Sequence, residues 1–340
     1  MLGLLWLTAC LSATDRIAMS VAIIPMAEEF QFTDTTKGSI SSLLSFGYAL
    51  VILPAGFLAG QWSPRLRMAS GIALWSLATI GTPLTIVSAA SSIRPLLIAR
   101  TLVGAGESIL LPTSTRLLNE WTPVNEKSRD SPTTSKEGND LYSNDNQLSI
   151  KDAPWKEIIQ SKGAWAIFLA HSAKNWGNFM ASAWTLMFYS EQYGIGVRGS
   201  AWLSILPCVA GVVGGIVAGT SADANWATNP LSLGLLAWHI PEQAWAAQLY
   251  VAVNIGFLCF NSAGYDAANH KKSGPKWAGL LYSVTSLPAV LIGTGATYLT
   301  GRILDASGQD WSLVFGLNAL IYVLGAISFI ILYDSGKEFE

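Results

Sequence analysis

Charge is what this sequence has least of. Asp, Glu, Lys and Arg make up 12% of its 340 residues, about half the roughly 25% usual in soluble domains. That excludes a surface built to face water on all sides. The net charge of −2 supplies no basic field, so no nucleic-acid partner is expected. The three cysteines, Cys10, Cys208 and Cys259, fall in three separate apolar stretches, which argues against a disulfide framework or a zinc site. Three scattered histidines do not make a metal site either. No phosphate-cradling glycine loop, serine elbow or thiolate pair is present, so neither an enzyme nor a bound cofactor is expected.

What remains is apolar. No formal charge falls in 38–64, 68–93, 199–222, 243–265, 277–301 or 311–333. Each stretch approaches or exceeds the ~20 apolar residues that cross a bilayer as a helix. Hydrocarbon cannot hydrogen-bond the backbone, so stretches of this length read as helices. The expected fold class is an all-α polytopic membrane protein, with the lipid bilayer as its first partner. The start could pass for a signal peptide, but it lacks a basic leader and its apolar pattern resumes after Asp15-Arg16. We read it as a first transmembrane helix.

The expected spans are 2–26, 39–61, 68–90, 95–118, 164–188, 200–222, 244–265, 277–300 and 311–333. Residues 122–155 are polar, rich in Ser, Thr, Asn, Asp and Lys, and read as a disordered linker. The domains are then a four-helix bundle over 1–121, the linker over 122–155, and a bundle of five or six helices over 156–340. Short loops rich in Lys and Arg face the cytoplasm or its equivalent. Two qualify: Arg65 and Arg67, and the group His270, Lys271, Lys272 and Lys276. Both face the same side only if the chain crosses once more within 224–243, so a short or broken span is expected there. Gly211, Gly215 and Gly219 form a small-residue ladder suited to close helix packing.

Ionisable residues inside a membrane are costly and mark function. Arg16 lies mid-span in the first helix; its planar fork suits phosphate or carboxylate. It holds a substrate anion or is neutralised by a neighbouring helix. Arg100 and Glu107 lie seven apart, on one face of the fourth helix. Glu107 carries a coupling proton or serves in an ion pair that holds the bundle together. His171, Lys174, Asn175 and Asn178 recur at helical spacing and draw a polar stripe. The stripe faces a wet cavity, or its first members snorkel to water.

These residues resemble a known family. Asp15-Arg-Ile-Ala-Met-Ser-Val-Ala-Ile-Ile-Pro-Met26, Trp75-Ser-Leu-Ala-Thr79 and Arg100-Thr-Leu-Val-Gly-Ala-Gly-Glu107 resemble the first, third and fourth helices of the anion:cation symporters in the major facilitator superfamily. Trp121-Thr-Pro-Val-Asn-Glu-Lys-Ser-Arg129 is similar to the loop that follows. Pro154-Trp-Lys156, His171 and Asn175-Trp-Gly177 resemble the seventh helix, and Asn269-His270 with Gly274-Pro-Lys-Trp-Ala-Gly279 the tenth-to-eleventh loop. The branch is that of plant and algal plastid phosphate transporters.

The resemblance implies a major facilitator fold and transport of a small anion, inorganic or organic, by alternating access. Na⁺ or H⁺ is the implied coupling ion and a plastid membrane the implied location. Substrate binding falls to Arg16, Lys174 and Asn175, and coupling or gating to Arg100, Glu107 and His171. The chain lacks counterparts of helices five and six and most of nine, so the fold is expected to be incomplete. Gly60-Gln61 stands where the family usually has an acidic residue. The alternative function is a non-transporting, decayed or truncated membrane paralogue.

Overall fold

The computed structural model describes residues 2–57, 63–89, 92–110, 113, 155–196, 199, 202–203, 205–220 and 234–333. Among these there is no strand. The helices are α1 (Leu2–Phe30), α2 (Asp34–Phe57), α3 (Pro64–Ala89), α4 (Arg94–Glu107), α5 (Trp155–Gln160), α6 (Lys162–Tyr193), α7 (Ile205–Thr220), α8 (Ala244–Ser307) and α9 (Trp311–Leu332). The 122–155 linker lies outside the described residues, except Trp155, which opens α5.

Local chemistry sets several boundaries. Ser161 caps α6 by accepting from the Ala164 N–H at 3.0 Å. Gly194 ends that helix at φ +61°, a left-handed turn that costs glycine little. Asp310 caps α9 through Ser312 N at 2.9 Å.

The pattern of burial is inverted relative to a soluble protein. Arg100, Glu107, His171, Asn175 and Asn318 are buried, whereas Leu77, Ile80 and Leu84 form an exposed stripe along α3. Polar groups inside and leucines outside are what lipid selects. Cys10–Phe30, Arg65–Ile86 and Trp311–Leu332 are long and apolar enough to cross a membrane by themselves. The protein is an integral membrane protein.

Two corrections concern the basic loops. Arg65 and Arg67 lie in the first turns of α3, with Arg65 exposed and Arg67 buried, not in a loop. The loop expected over 266–276 is helical, so spans 244–265 and 277–300 belong to one element of 64 residues. That element would rise about 96 Å if straight, about three times the hydrocarbon thickness.

It is not straight. Asn254 neighbours Tyr322, and Tyr322 Oη fills the space beside Gly177 of α6. A Cβ added at Gly293 would lie 2.8 Å from Asn175 O, also on α6. Residues 254 and 293 therefore flank the same two turns, although a straight helix would set them about 58 Å apart. The helix folds back into two arms, which restores the two expected crossings. Gly274-Pro275 lies between the arms, and proline removes a helical hydrogen bond.

The arms also address the extra crossing. Leu203, just before α7, meets Gln248 of the first arm, and Gly214 meets Gly256. Helix α7 and the first arm thus run parallel, a pairing that needs a long crossover connection. Half of the expected span, 224–233, lies outside the described residues; the described half opens on a helical turn over 234–238. The close approach on α7 falls at Gly214, a glycine beside the expected ladder.

Helices α2, α3 and α4 pack together in front, and α6 packs with both arms of α8 and with α9 behind. Helix α1 meets α6, and α2 meets α8, forming a seam between the two sets.

Candidate functional site

The front set brings the sequence-predicted charges together. Glycines make this possible. A Cβ at Gly104 would collide with Leu44 O of α2, and one at Gly106 would sit 2.7 Å from Trp75 N of α3. Glycine lets α4 wedge backbone-to-backbone between its neighbours. That wedge carries Glu107 into the interior, where its side chain is fully buried.

Arg16 of α1 meets it there. Its Nε donates to Glu107 Oε2 at 2.8 Å, and Nη2 lies 2.7 Å from the same oxygen. Ser12 stands beside the carboxyl. The neutralised-arginine reading of Arg16 and the ion-pair reading of Glu107 therefore describe one contact between α1 and α4. Arg16 is not used up by it: its side chain is 41% exposed. The guanidinium lies 5.4 Å from the centre of the Tyr48 ring on α2, a cation–π contact.

Arg100 is buried beneath. Asp15, Glu107 and Arg16 are the charges around it, and among the described residues its Nε has no hydrogen-bond partner. Asp15 accepts from Thr79 Oγ1 of α3 at 2.8 Å. Two arginines and two carboxylates balance formally. Protonating either carboxylate would leave the cluster positive.

The back set supplies the other wall. Ser20 Oγ of α1 donates to Ser182 O of α6 at 3.1 Å. Lys174, Asn178 and Ser182 recur every four residues and share that face. Lys174 and Asn178 are half-buried at the seam, with Asn178 level with Arg16 and Lys174 one turn further along. His171 and Asn175 are buried. Asn175 lies against the second arm of α8, round the helix from the seam. The structure thus gathers Arg16, Arg100 and Glu107, sets Lys174 on the facing wall, and tucks Asn175 and His171 behind it.

Sequence reasoning missed Tyr48 and Thr79. An aromatic and a threonine in apolar helices carry no signal of their own. Thr79 does end the quoted stretch Trp75–Thr79, which was a pointer to that helix.

With this geometry in view, the chain can be set beside known proteins. A model described as Major Facilitator Superfamily matches residues 5–130. The ascorbate transporter of Arabidopsis thaliana chloroplasts is 26% identical, covering 92% of this chain and 70% of that protein. The Arabidopsis sodium-dependent phosphate transport protein 1, also chloroplastic, is 25% identical over 92% of this chain and 74% of its own. The probable anion transporter 4 of rice chloroplasts is 25% identical, with 96% and 67% covered. The alignment with the ascorbate transporter runs over 388 positions, more than the 340 residues here, so it passes internal segments that this chain lacks. Among solved structures, a bacterial homologue of the human lysosomal transporter Spinster, inward-facing and occupied, superposes with a TM-score of 0.74 at 16% identity. The superposition covers 96% of this chain and 95% of that one. The nucleoside transporter NupG gives 0.60 at 13% identity, with 96% and 98% covered. An all-α fold, the expected motifs in order and these matches agree: residues 5–130 match the Major Facilitator Superfamily model, the chain is similar to the anion transporters of plant chloroplasts, and its fold is an incomplete form of the one seen in those solved transporters.

Proposed function

We propose that this protein is a secondary transporter of a small anion, inorganic phosphate or an organic acid, in a plastid membrane. The two helix sets act as the two halves of an alternating-access device. One observation carries the reading: Arg16 lies within a candidate membrane span, tied to a fully buried carboxylate, yet keeps two-fifths of its side chain exposed. An arginine with only a structural duty would be covered.

The chemistry follows from the sharing. An anion arriving at Arg16 competes with Glu107 for one guanidinium. A proton on Glu107 removes the competitor and leaves the cluster positive, so proton and anion bind together. Na⁺ near the same carboxylate would act in the same sense. Arg16 and Lys174 hold the anion from opposite walls, and Asn175, behind that wall, supports the turn that carries Lys174. Arg100, Glu107 and His171 respond to the coupling ion. The relatives' names, which include ascorbate and sodium-dependent phosphate transport, set the first substrates to try.

The test is uptake of labelled phosphate and ascorbate into proteoliposomes under imposed pH and Na⁺ gradients. The wild type is expected to accumulate one of them, and Arg16→Ala to fall to the rate of empty vesicles. A wild type that moves no anion under either gradient, while remaining folded, would reject transport in favour of a non-transporting paralogue.

A further inference from the structure

The charges at one end of the seam are absorbed by neither the anion site nor its coupling. Lys37, near the start of α2, lies 2.7 Å from Asp34 on its own helix and 2.6 Å from Glu191 near the end of α6. Its side chain is 12% exposed. Beside it, Asp305 of α8 accepts from the backbone N–H groups of Asp34 and Thr35, at 2.9 and 2.8 Å. Those are orphan donors at the start of α2, so a residue 271 positions away caps that helix. Gln309 donates to Asp34 across the same gap. A Cβ at Gly38 would lie 3.3 Å from the Trp184 ring of α6.

We propose that Lys37 is the pin of a latch that holds the two helix sets together at this end of the seam. The pin is electrostatic. One ammonium serves two carboxylates, one on each set. Without it, Asp34 and Glu191 face each other across the seam as like charges in a half-buried place, and repulsion drives the sets apart. Asp305 is the second fastening: separating the sets strips α2 of its cap and exposes the orphan donors together. Both fastenings lie at the end where α1 finishes and α2 begins, opposite the end bearing Arg65. Closing here leaves the Arg16 site to communicate with the Arg65 side.

The latch rests on the reading of two sets that move apart, so the test measures movement rather than transport. Spin labels go on Glu29→Cys and Gln192→Cys, exposed positions on the two sets at the latch end, with Cys10, Cys208 and Cys259 replaced by serine. Distances are measured in lipid nanodiscs on the full chain. The parent is expected to show a dominant short population. Lys37→Met adds a longer one, and Lys37→Arg does not. Should Lys37→Met fail to fold, Asp305→Ala decides, with a smaller longer population expected. Unchanged distances in Lys37→Met, or in Asp305→Ala in its place, would overturn the latch. A parent with latched distances that moves no anion would strike the transport reading alone.

Discussion

Among the described residues, two charge clusters are built in opposite ways. Mid-membrane, a buried carboxylate is shared between arginines: Arg16 bonds Glu107, and Arg100 lies beneath. At the end of the seam, one lysine is shared between carboxylates. The first cluster is assembled within the front set, so it survives any movement of one set against the other. The second spans the seam, so it exists only while the sets are together. An ion pair reports on the opening of a path only if its partners sit on the parts that move. The first cluster suits binding and the second suits closure.

The largest effect should come from breaking the first cluster. Arg16→Ala leaves Glu107 buried with only Arg100 nearby; because Arg16 is 41% exposed, the loss is discounted from the ~3–5 kcal/mol of a fully buried pair to about 1–3 kcal/mol. Arg16→Ala combined with Glu107→Gln removes the stranded charge. Thermal unfolding in detergent should show a large fall for the single variant and substantial recovery for the double, while uptake stays lost in both. A double variant no more stable than Arg16→Ala would mean that the pair contributes little to the fold.

The two clusters were unequally legible in the sequence. Arg16, Arg100 and Glu107 interrupt apolar stretches, and charge inside a membrane span is conspicuous because it is costly. The pairing of Arg16 with Glu107 across 91 positions was open, since composition carries no information on which helices adjoin. The latch was invisible. Lys37, Glu191 and Asp305 sit at helix ends, where charge is the ordinary condition and needs no explanation. The fold-back in α8 was legible as two apolar spans, because lipid sets span length whatever joins them. The joint itself was misread as a loop, since its lysines resemble loop composition. Arg67 was misassigned for the same reason: a basic residue between two spans reads as water-facing, but its side chain turns inward.

A smaller effect distinguishes how the latch responds to pH. Burial raises the Glu191 carboxyl above its ordinary range, more than its bond to Lys37 lowers it, and nearby Asp34 adds to the rise. Lys37, desolvated but held by Asp34 and Glu191, is raised as well. One cation serving two anions satisfies itself better than it satisfies either of them. Glu191 therefore binds a proton more readily with the latch closed than when opening returns it to solvent. Acidification between its raised value and the ordinary ~4.3 favours closure, and alkalinisation favours opening. Lys37 contributes to closure throughout this window and loses its contribution only above ~10.4. Tyr193, the neighbouring titratable group on α6, is pushed up to about 12 by burial and stays neutral. As pH falls from neutral toward the ordinary ~4.3 the short-distance population should grow, and in Lys37→Met it should grow more, because protons remove the repulsion. Glu191→Gln should abolish the dependence in the otherwise native chain. A dependence that persists in Glu191→Gln would place the titrating group elsewhere.

The smallest effect belongs to the cap. Asp305 is exposed; burial, the largest single influence, pushes its carboxyl up, but the bonds from Thr35 and Asp34 together outweigh it and hold the carboxyl below the ordinary value. Its contribution is present above the ordinary ~3.9 and is lost as pH falls through the depressed value, below the window that Glu191 controls. Asp305→Asn keeps one carbonyl acceptor and loses the charge that complements the start of α2. The cost should be about 0.5–1 kcal/mol, seen as a slight rise in the longer-distance population and little change in thermal unfolding. Asp305→Ala removes both acceptors and should open the seam further than Asp305→Asn. If the two variants behave alike, charge rather than capping is what Asp305 contributes, and the latch reduces to electrostatics alone.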